Sequence, residues 1–291
     1  MILWPDTFNN YFFPETAVAA VDVLEAAGFH VTIPGRPLCC GRPLYDFGML
    51  DLAKHLWRQI LSTLHDEIEA GTPIVGLEPS CVAAFRDELI QMYPMYEDAK
   101  RLNIQVLTLA EFLDSKAPHV DLPQLHRHAI VHGHCHQKAV MGFTSEQRIM
   151  KRIGLHFDVL DSGCCGMAGS FGFKSGDHYD VSLKVGGMTL LPAVQNAPAD
   201  TLIMADGFSC REQIAQTTDR RALHLAQVMQ MALREGPRSG PSRGGTEHPE
   251  RDYFMPREFH QGISTKDIAV LAGAGLAVAG LLLWMLKRNR R

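Results

Sequence analysis

The chain has 291 residues, 46% hydrophobic and 21% charged, a balance that suits one large or two ordinary globular domains and excludes wholesale disorder. Its 28 basic and 32 acidic side chains leave a net charge of −4, so no field gathers phosphates and no nucleic-acid partner is expected. Seven cysteines, an odd number with two adjacent pairs, fit a reducing compartment better than a secreted disulfide framework.

The N-terminus, MILWPDTFNNYFFP, lacks the basic and apolar regions of a secretory signal, so the first residues are expected to belong to the fold. Ile2, Leu3 and Trp4 read as a short apolar strand, followed by a helix that Pro14 opens and Gly28 closes. A strand is expected over 29–33, then a turn at Leu38-Cys39-Cys40-Gly41, a long amphipathic helix over 49–70, and a strand over 73–77 that runs into Glu78-Pro79-Ser80-Cys81 and a further helix. The same order then recurs: strand 129–132, a loop with Cys135, helix 145–153, Gly154, strand 156–160, the turn Gly163-Cys164-Cys165-Gly166, a helix around 178–194, strand 201–204, and a loop ending at Cys210. Alternating strands and helices predict an α/β fold of two repeated modules, 1–118 and 119–234, with mostly parallel sheets. Every cysteine falls just after a strand, the edge where ligands bind in open α/β sheets.

The C-terminal part differs. Residues 235–267 carry Gly236, Pro237, Gly240, Pro241, Gly244, Gly245, Pro249 and Pro256 among mixed charges and read as a flexible tether. Residues 268–286 are 19 positions without a charge. As a helix they would span roughly 28 Å, about the thickness of a bilayer's hydrocarbon. Lys287, Arg288, Arg290 and Arg291 follow as a basic tail over 287–291. A C-terminal transmembrane helix is therefore expected, placing the protein at the cell membrane. The stripe Ala269, Gly273, Ala277 and Gly280 would let that helix meet a second copy, as a homodimer, or a membrane partner. Arg251, Arg257 and Lys266 nearly balance the tail, so the positive-inside rule favours a cytoplasmic tail only slightly; that would put the body outside, and the needs of cluster assembly favour a cytoplasmic body instead.

Laying Ile2 on Ile130 puts Thr7 opposite Cys135, Cys39-Cys40 opposite Cys164-Cys165, and Cys81 opposite Cys210. Thiolates converging from loops at one sheet edge suit soft-metal ligation, and four of them suit an iron–sulfur cluster. Zinc competes, but the C-x-x-C knuckle usual for structural zinc is absent, as it is for thioredoxin-like dithiols. The second half offers four metal ligands, Cys135, Cys164, Cys165 and Cys210, and the first offers three, Cys39, Cys40 and Cys81. Gly166, Gly169 and Gly172 would let backbone N–H groups approach the sulfurs. His132, His134 and His136 bracket Cys135, and the last two are candidate cofactor-binding residues. Asp6 and Asp206 read as loop or cap residues. Neither a Walker A sequence nor a strand–helix G-x-G-x-x-G is present, so no nucleotide is expected on this chain.

At LWPDTFNNYFFPE, LCCGRPLYDFG, LEPSCVAAFRDEL, HGHCHQKAVMG, DSGCCGMAGSFGF and ADGFSCREQI the sequence resembles the CCG-domain, cysteine-rich iron–sulfur family related to heterodisulfide reductase. It is most like the C-terminal region of FAD-linked oxidases of the D-lactate dehydrogenase and glycolate oxidase type. The resemblance implies two modules that each carry five cysteines, an early one, a pair and a final C-x-x-C. Here Thr7 stands at the early position of module one, Glu78 at the first position of its C-x-x-C, and Gly207 at the matching place in module two. One [4Fe-4S] cluster, in module two, is the expectation. The resemblance further implies FAD on a partner dehydrogenase chain, and a ferredoxin-like iron–sulfur protein or a quinone as electron partner. Three functions remain open: an electron-transfer subunit of a membrane-associated 2-hydroxy-acid oxidoreductase, a catalytic disulfide reductase subunit, and a metal-stabilised scaffold without redox turnover.

Overall fold

The computed structural model describes residues 1–237 and 248–255. Two three-stranded parallel sheets organise residues 1–254. The first orders β1 (Ile2–Trp4), β2 (Ile74–Gly76) and β3 (Val106–Thr108) as β1-β2-β3, with Ile2 facing Ile74 and Ile74 facing Val106. The second contains β4 (His128–Val131), β5 (His156–Val159) and β6 (Leu202–Met204) in the order β5-β4-β6, with Ile130 facing both Asp158 and Ile203. Single parallel bridges extend both: Thr32 joins Ile2, and Leu223 joins Met204. Thr32 thus takes the place of β5, and Leu223 that of β3, so the two sheets share one topology. The α/β reading and the repeat are both present.

β1, β2 and β6 are apolar on both faces because both faces are covered, as in most parallel sheets, whereas the edge strand β5 exposes His156 and Asp158. Alternate residues serve different cores. Leu3, Val75, Ala129, Val131, Leu202 and Met204 enter one core shared by both halves. Ile2, Trp4, Ile74 and Val106 face a second core with Trp57, Ile60 and Leu61 of the helix Leu50–Thr63. Ile203 faces a third with Leu190, Leu191 and Ile214. The helices Pro14–Ala26 and Leu225–Glu235, one from each half, pack on each other.

Helix punctuation follows the sequence where it is local. Pro14 opens its helix, and Gly28, at φ +88°, terminates the turn after it. Elsewhere the elements are shorter than expected. The 49–70 helix breaks at Leu64 into Leu50–Thr63 and His65–Glu69, and the 178–194 helix divides into Asp177–Gly186 and Leu190–Gln195 around Gly187. The expected strand over 29–33 is only the bridge at Thr32, because Pro34 cannot donate to a longer ladder. Cys210 lies in the helix Phe208–Thr217, not in a loop.

Part of the expected tether is packed. Glu250 forms an ion pair with Arg220 at 2.7 Å, both essentially buried, and Gln227 donates to the Tyr253 carbonyl at 2.9 Å. The expected membrane helix, 268–286, the basic tail and the small-residue stripe lie outside the described residues. Among the described residues no helix is long and apolar enough to cross a membrane.

Candidate metal centre

Each cysteine group sits at the C-terminal end of its strands, and the repeat sets equivalent positions on equivalent elements. Thr7 and Cys135 each begin the first helical turn after the first strand of their half. Cys81 and Cys210 are each the third residue of the helix after β2 or β6. Cys39, Cys40, Cys81, Cys135, Cys164 and Cys165 all line one cavity of about 600 Å³, walled by Phe8, Phe47, Phe171, Phe173 and Phe208. Cys210 lies behind it, buried against Cys165.

In module two the thiols form a hydrogen-bonded chain. Cys135 and Cys165 are pushed up by hydrogen bonds to Cys164, with Cys165 also bonded to Cys210, and burial adds to both. Cys164 is drawn down by those same bonds from Cys135 and Cys165, and by the N–H groups of Gly166 and Ala168. Cys210 is drawn down by Cys165 and by His132. The four thiols thus act on one another directly, an arrangement in which a cation can replace their protons. Gly166 is required locally. It sits at φ +99°, a Cβ there would lie 2.2 Å from the Ser182 carbonyl oxygen, and its N–H points at Cys164 Sγ from 3.3 Å. Gly169 lines the cavity.

Module one is tuned differently. The Cys40 and Cys81 sulfurs lie 2.8 Å apart. Cys39 is pushed up by its bond to Cys40, against a smaller opposing bond from Thr7. Cys40 is pushed well up, its bond from Cys39 outweighed by the bond to Cys81 and by burial. Cys81 sits at about 11: a bond from Cys40 lowers it, but burial and the nearby Asp6 and Glu78 carboxylates outweigh that. Acidic neighbours thus oppose thiolates in module one, where module two offers imidazoles and amides.

Two of the three positions that depart from the family pattern, Glu78 and Gly207, have structural roles. Glu78, 2% exposed, caps the Cys81 helix by accepting from Ser80 N and Oγ at 3.2 and 2.7 Å, and accepts the Phe208 N–H at 2.8 Å. A Cβ on Gly207 would lie 2.3 Å from His134 Cδ2, so the imidazole fills the space a side chain would take there. His134 stacks on His136, ring centroids 5.4 Å apart. His136 Nε2 accepts from Arg42 Nη2 at 2.6 Å, and burial, then Arg42 and His134, hold it at about 4. Arg42 also pairs with Glu88 and with Asp46, the latter at 3.0 Å. Arg42 lies just after the first Cys-Cys-Gly and reaches a residue 94 positions away, a contact no local sequence signal could reveal.

A metal centre fits these residues. His132 Nε2, His134 Nδ1 and His136 Nδ1 are buried without hydrogen-bond partners, and ligand atoms of His132, Cys165 and Cys210, and likewise of His134, Cys135 and His136, lie within 4.8 Å of one another. Unpaired buried polar atoms are costly and a ligated ion relieves them.

Known proteins agree with this geometry. Residues 7–86 match the CCG cysteine-rich domain family. The chain is 31% identical over 234 residues to one component of the anaerobic glycerol-3-phosphate dehydrogenase of Escherichia coli, its C component, covering 78% of this chain and 57% of that protein. It is 30% identical over 235 residues to lactate utilization protein A of Geobacillus kaustophilus, covering 76% of this chain and 94% of the relative. It is also 26% identical over 228 residues to the D-2-hydroxyglutarate dehydrogenase of Escherichia coli, of which it spans 22%. The chain belongs to the CCG cysteine-rich family that includes lactate utilization protein A. It spans a little over half the length of the glycerol-3-phosphate dehydrogenase component.

Proposed function

We propose that the chain is an iron–sulfur electron-transfer subunit, or the corresponding part of a longer one, working between an FAD-dependent 2-hydroxy-acid dehydrogenase and a membrane acceptor such as a quinone. The observation that carries this reading is the convergence of the four thiols Cys135, Cys164, Cys165 and Cys210, with a ring nitrogen of His132 and the sulfurs of Cys165 and Cys210 all within 4.8 Å of one another. Bound there, a [4Fe-4S] cluster would supply one-electron chemistry. The residues around it would do the rest. Gly166 N–H would offset negative charge on Cys164, Arg42 would bring a fixed cation to the cavity floor, and the aromatic walls would exclude water from the face open to a partner. The likeness to one component of a dehydrogenase and to a segment of a larger dehydrogenase supports a flavoprotein partner. The uncharged stretch 268–286 supports attachment to a membrane.

The test is anaerobic purification with iron and acid-labile sulfide analysis and an electron paramagnetic resonance spectrum of the reduced protein. Replacing Cys135, Cys164, Cys165 or Cys210 by Ser should remove most of the iron, and replacing Cys39 should remove less. Equal loss from both sets would replace the single centre by a shared or second one. A protein that binds only zinc would overturn the redox role.

A second reading, a reductase of small disulfides, is favoured by one feature. The cavity is large enough for a small molecule, and thiols of both modules face it. Turnover of a small disulfide with a reduced dye as donor, lost on Cys39→Ser while the iron is retained, would establish it.

A further inference from the structure

His132 directly follows β4 and is 2% exposed. Its Nδ1 lies 2.6 Å from Ser162 Oγ, and Ser162 is itself buried and held through its carbonyl by Lys138 Nζ. Its Nε2 has no hydrogen-bond partner that satisfies ordinary geometry, although it is removed from solvent. One ring nitrogen of His132 and the sulfurs of Cys165 and Cys210 all lie within 4.8 Å of one another. The imidazole is thus fixed at one nitrogen by a buried hydroxyl and lies against two buried thiols. This is how metal-binding histidines are commonly supported: a second group fixes the tautomer and the plane of the ring.

We propose that His132 is a direct ligand of the module-two centre, through Nε2, beside Cys165 and Cys210. The proposal rests on the reading that module two holds a metal and deepens it, since it makes the centre a mixed imidazole–thiolate site in place of an all-thiolate one. Module one is not equivalent. The register that pairs Ile2 with Ile74 and Ile130 with Ile203 sets Trp4 opposite His132, and an indole cannot ligate. The Trp4 side chain packs edge-on against Phe85, ring centroids 5.0 Å apart. A neutral nitrogen donor also has a consequence for charge. It adds ligation without a further negative charge at a site buried among Cys165, Ile203, Ala205 and Cys210, and a less negative set of ligands raises the reduction potential.

The experiment uses the full chain purified anaerobically after growth on 15N-histidine, with pulsed electron paramagnetic resonance of the reduced centre, and iron and sulfide analysis on the same sample. The expected result is a strongly coupled histidine nitrogen. In His132→Cys that coupling should vanish while iron is retained and the reduction potential falls. In Ser162→Ala the coupling should persist with altered orientation. Iron and sulfide present with no directly bound histidine nitrogen would overturn the proposal and leave the iron–sulfur reading standing. A coupling that survives in His132→Cys would also overturn it, assigning the nitrogen to His134 or His136. Absence of iron and sulfide would instead overturn the reading on which the proposal rests.

Discussion

Glu78 of the first module and Phe208 of the second meet across the molecule: the carboxylate accepts the first free N–H of the helix that carries Cys210, at 2.8 Å, while its other oxygen caps the helix that carries Cys81. One buried side chain thus fixes the starting points of both cysteine-bearing helices, at the position where the family pattern would set a thiol. The carboxylate is stabilising in both places because exposed N–H groups and the helix dipole favour a negative charge.

Glu78→Gln should therefore destabilise the protein. Only one oxygen remains to serve two helix ends, and the new amide points hydrogens at N–H groups. Loss of one cap costs about 1 kcal/mol, and an unsatisfied buried N–H about 1–3 kcal/mol. Relief of repulsion with Asp6, which burial and then Glu78 raise to about 6, offsets part of this. A net loss of about 2 kcal/mol is expected in chemical denaturation. An unchanged midpoint would show that the cap does not hold the two modules together.

Gly207→Ala should disturb His134 and little else. The backbone there has φ −73°, which any residue adopts, so the obstacle is the imidazole 2.3 Å from the new Cβ. Overpacking of this kind typically costs about 1–3 kcal/mol. His134→Ala should relieve it, so the double variant should be more stable than the sum of the two single changes implies. Additive effects would mean that the ring moves aside freely.

The repeat and the two cysteine pairs are legible in the sequence because they are local. Pro14, Gly28, Gly154 and the Cys-Cys-Gly turns act over a few residues, and hydrophobic runs mark buried parallel strands. What escapes is set by distant partners. β3 is three residues long and follows directly on a helix, Glu97–Gln105, so no turn residue announces it. Residues 248–255 carry the charge and proline of a tether, yet Glu250 finds a buried arginine 30 positions earlier. Cys210 reads correctly as following a strand but wrongly as lying in a loop, because Gly207 looks like a turn residue where it is in fact the N-cap. Of the three histidines around Cys135, sequence does not single out His132, since its distinguishing contact is with Ser162 on a different loop.

Arg211→Met should be among the most damaging changes away from the cysteines. The guanidinium is fully buried, donates to Thr16 Oγ1 and Asn9 Oδ1 at 2.9 Å each, and lies 4.3 Å over the Phe13 ring. It joins a module-two helix to two module-one helices; burial lowers its pKa, opposed by the Glu78, Asp206, Asp6 and Glu15 carboxylates. Removing one partner from a buried charged network costs about 3–5 kcal/mol. Met matches the length and apolar stem, so the loss measured by denaturation isolates the polar head. A change below about 1 kcal/mol would mean that Glu78 and its neighbours are compensated elsewhere.

Glu146 gives the protein a pH dependence of unusual sign for a carboxylate. Burial, with the Asp206 carboxylate adding to it, raises Glu146 from the ordinary 4.5 to about 7, while Thr108 Oγ1 donates to it at 3.0 Å and Gln137 Nε2 donates to the same oxygen. The folded chain therefore holds this proton where the unfolded chain has lost it. The native state binds more protons between about 4.5 and about 7, so stability falls as pH rises through that window and stays lower above it. The full difference corresponds to roughly 3 kcal/mol, an upper bound because buried charges relax their surroundings. Glu146→Gln keeps an oxygen for Thr108 and Gln137 and carries no charge at any pH. Thermal midpoints measured between about pH 5 and about pH 8 should decline in the parent and lie on a flatter line in the variant, with the variant the more stable of the two at the upper end. Parallel lines would mean that this carboxyl does not titrate differently on folding.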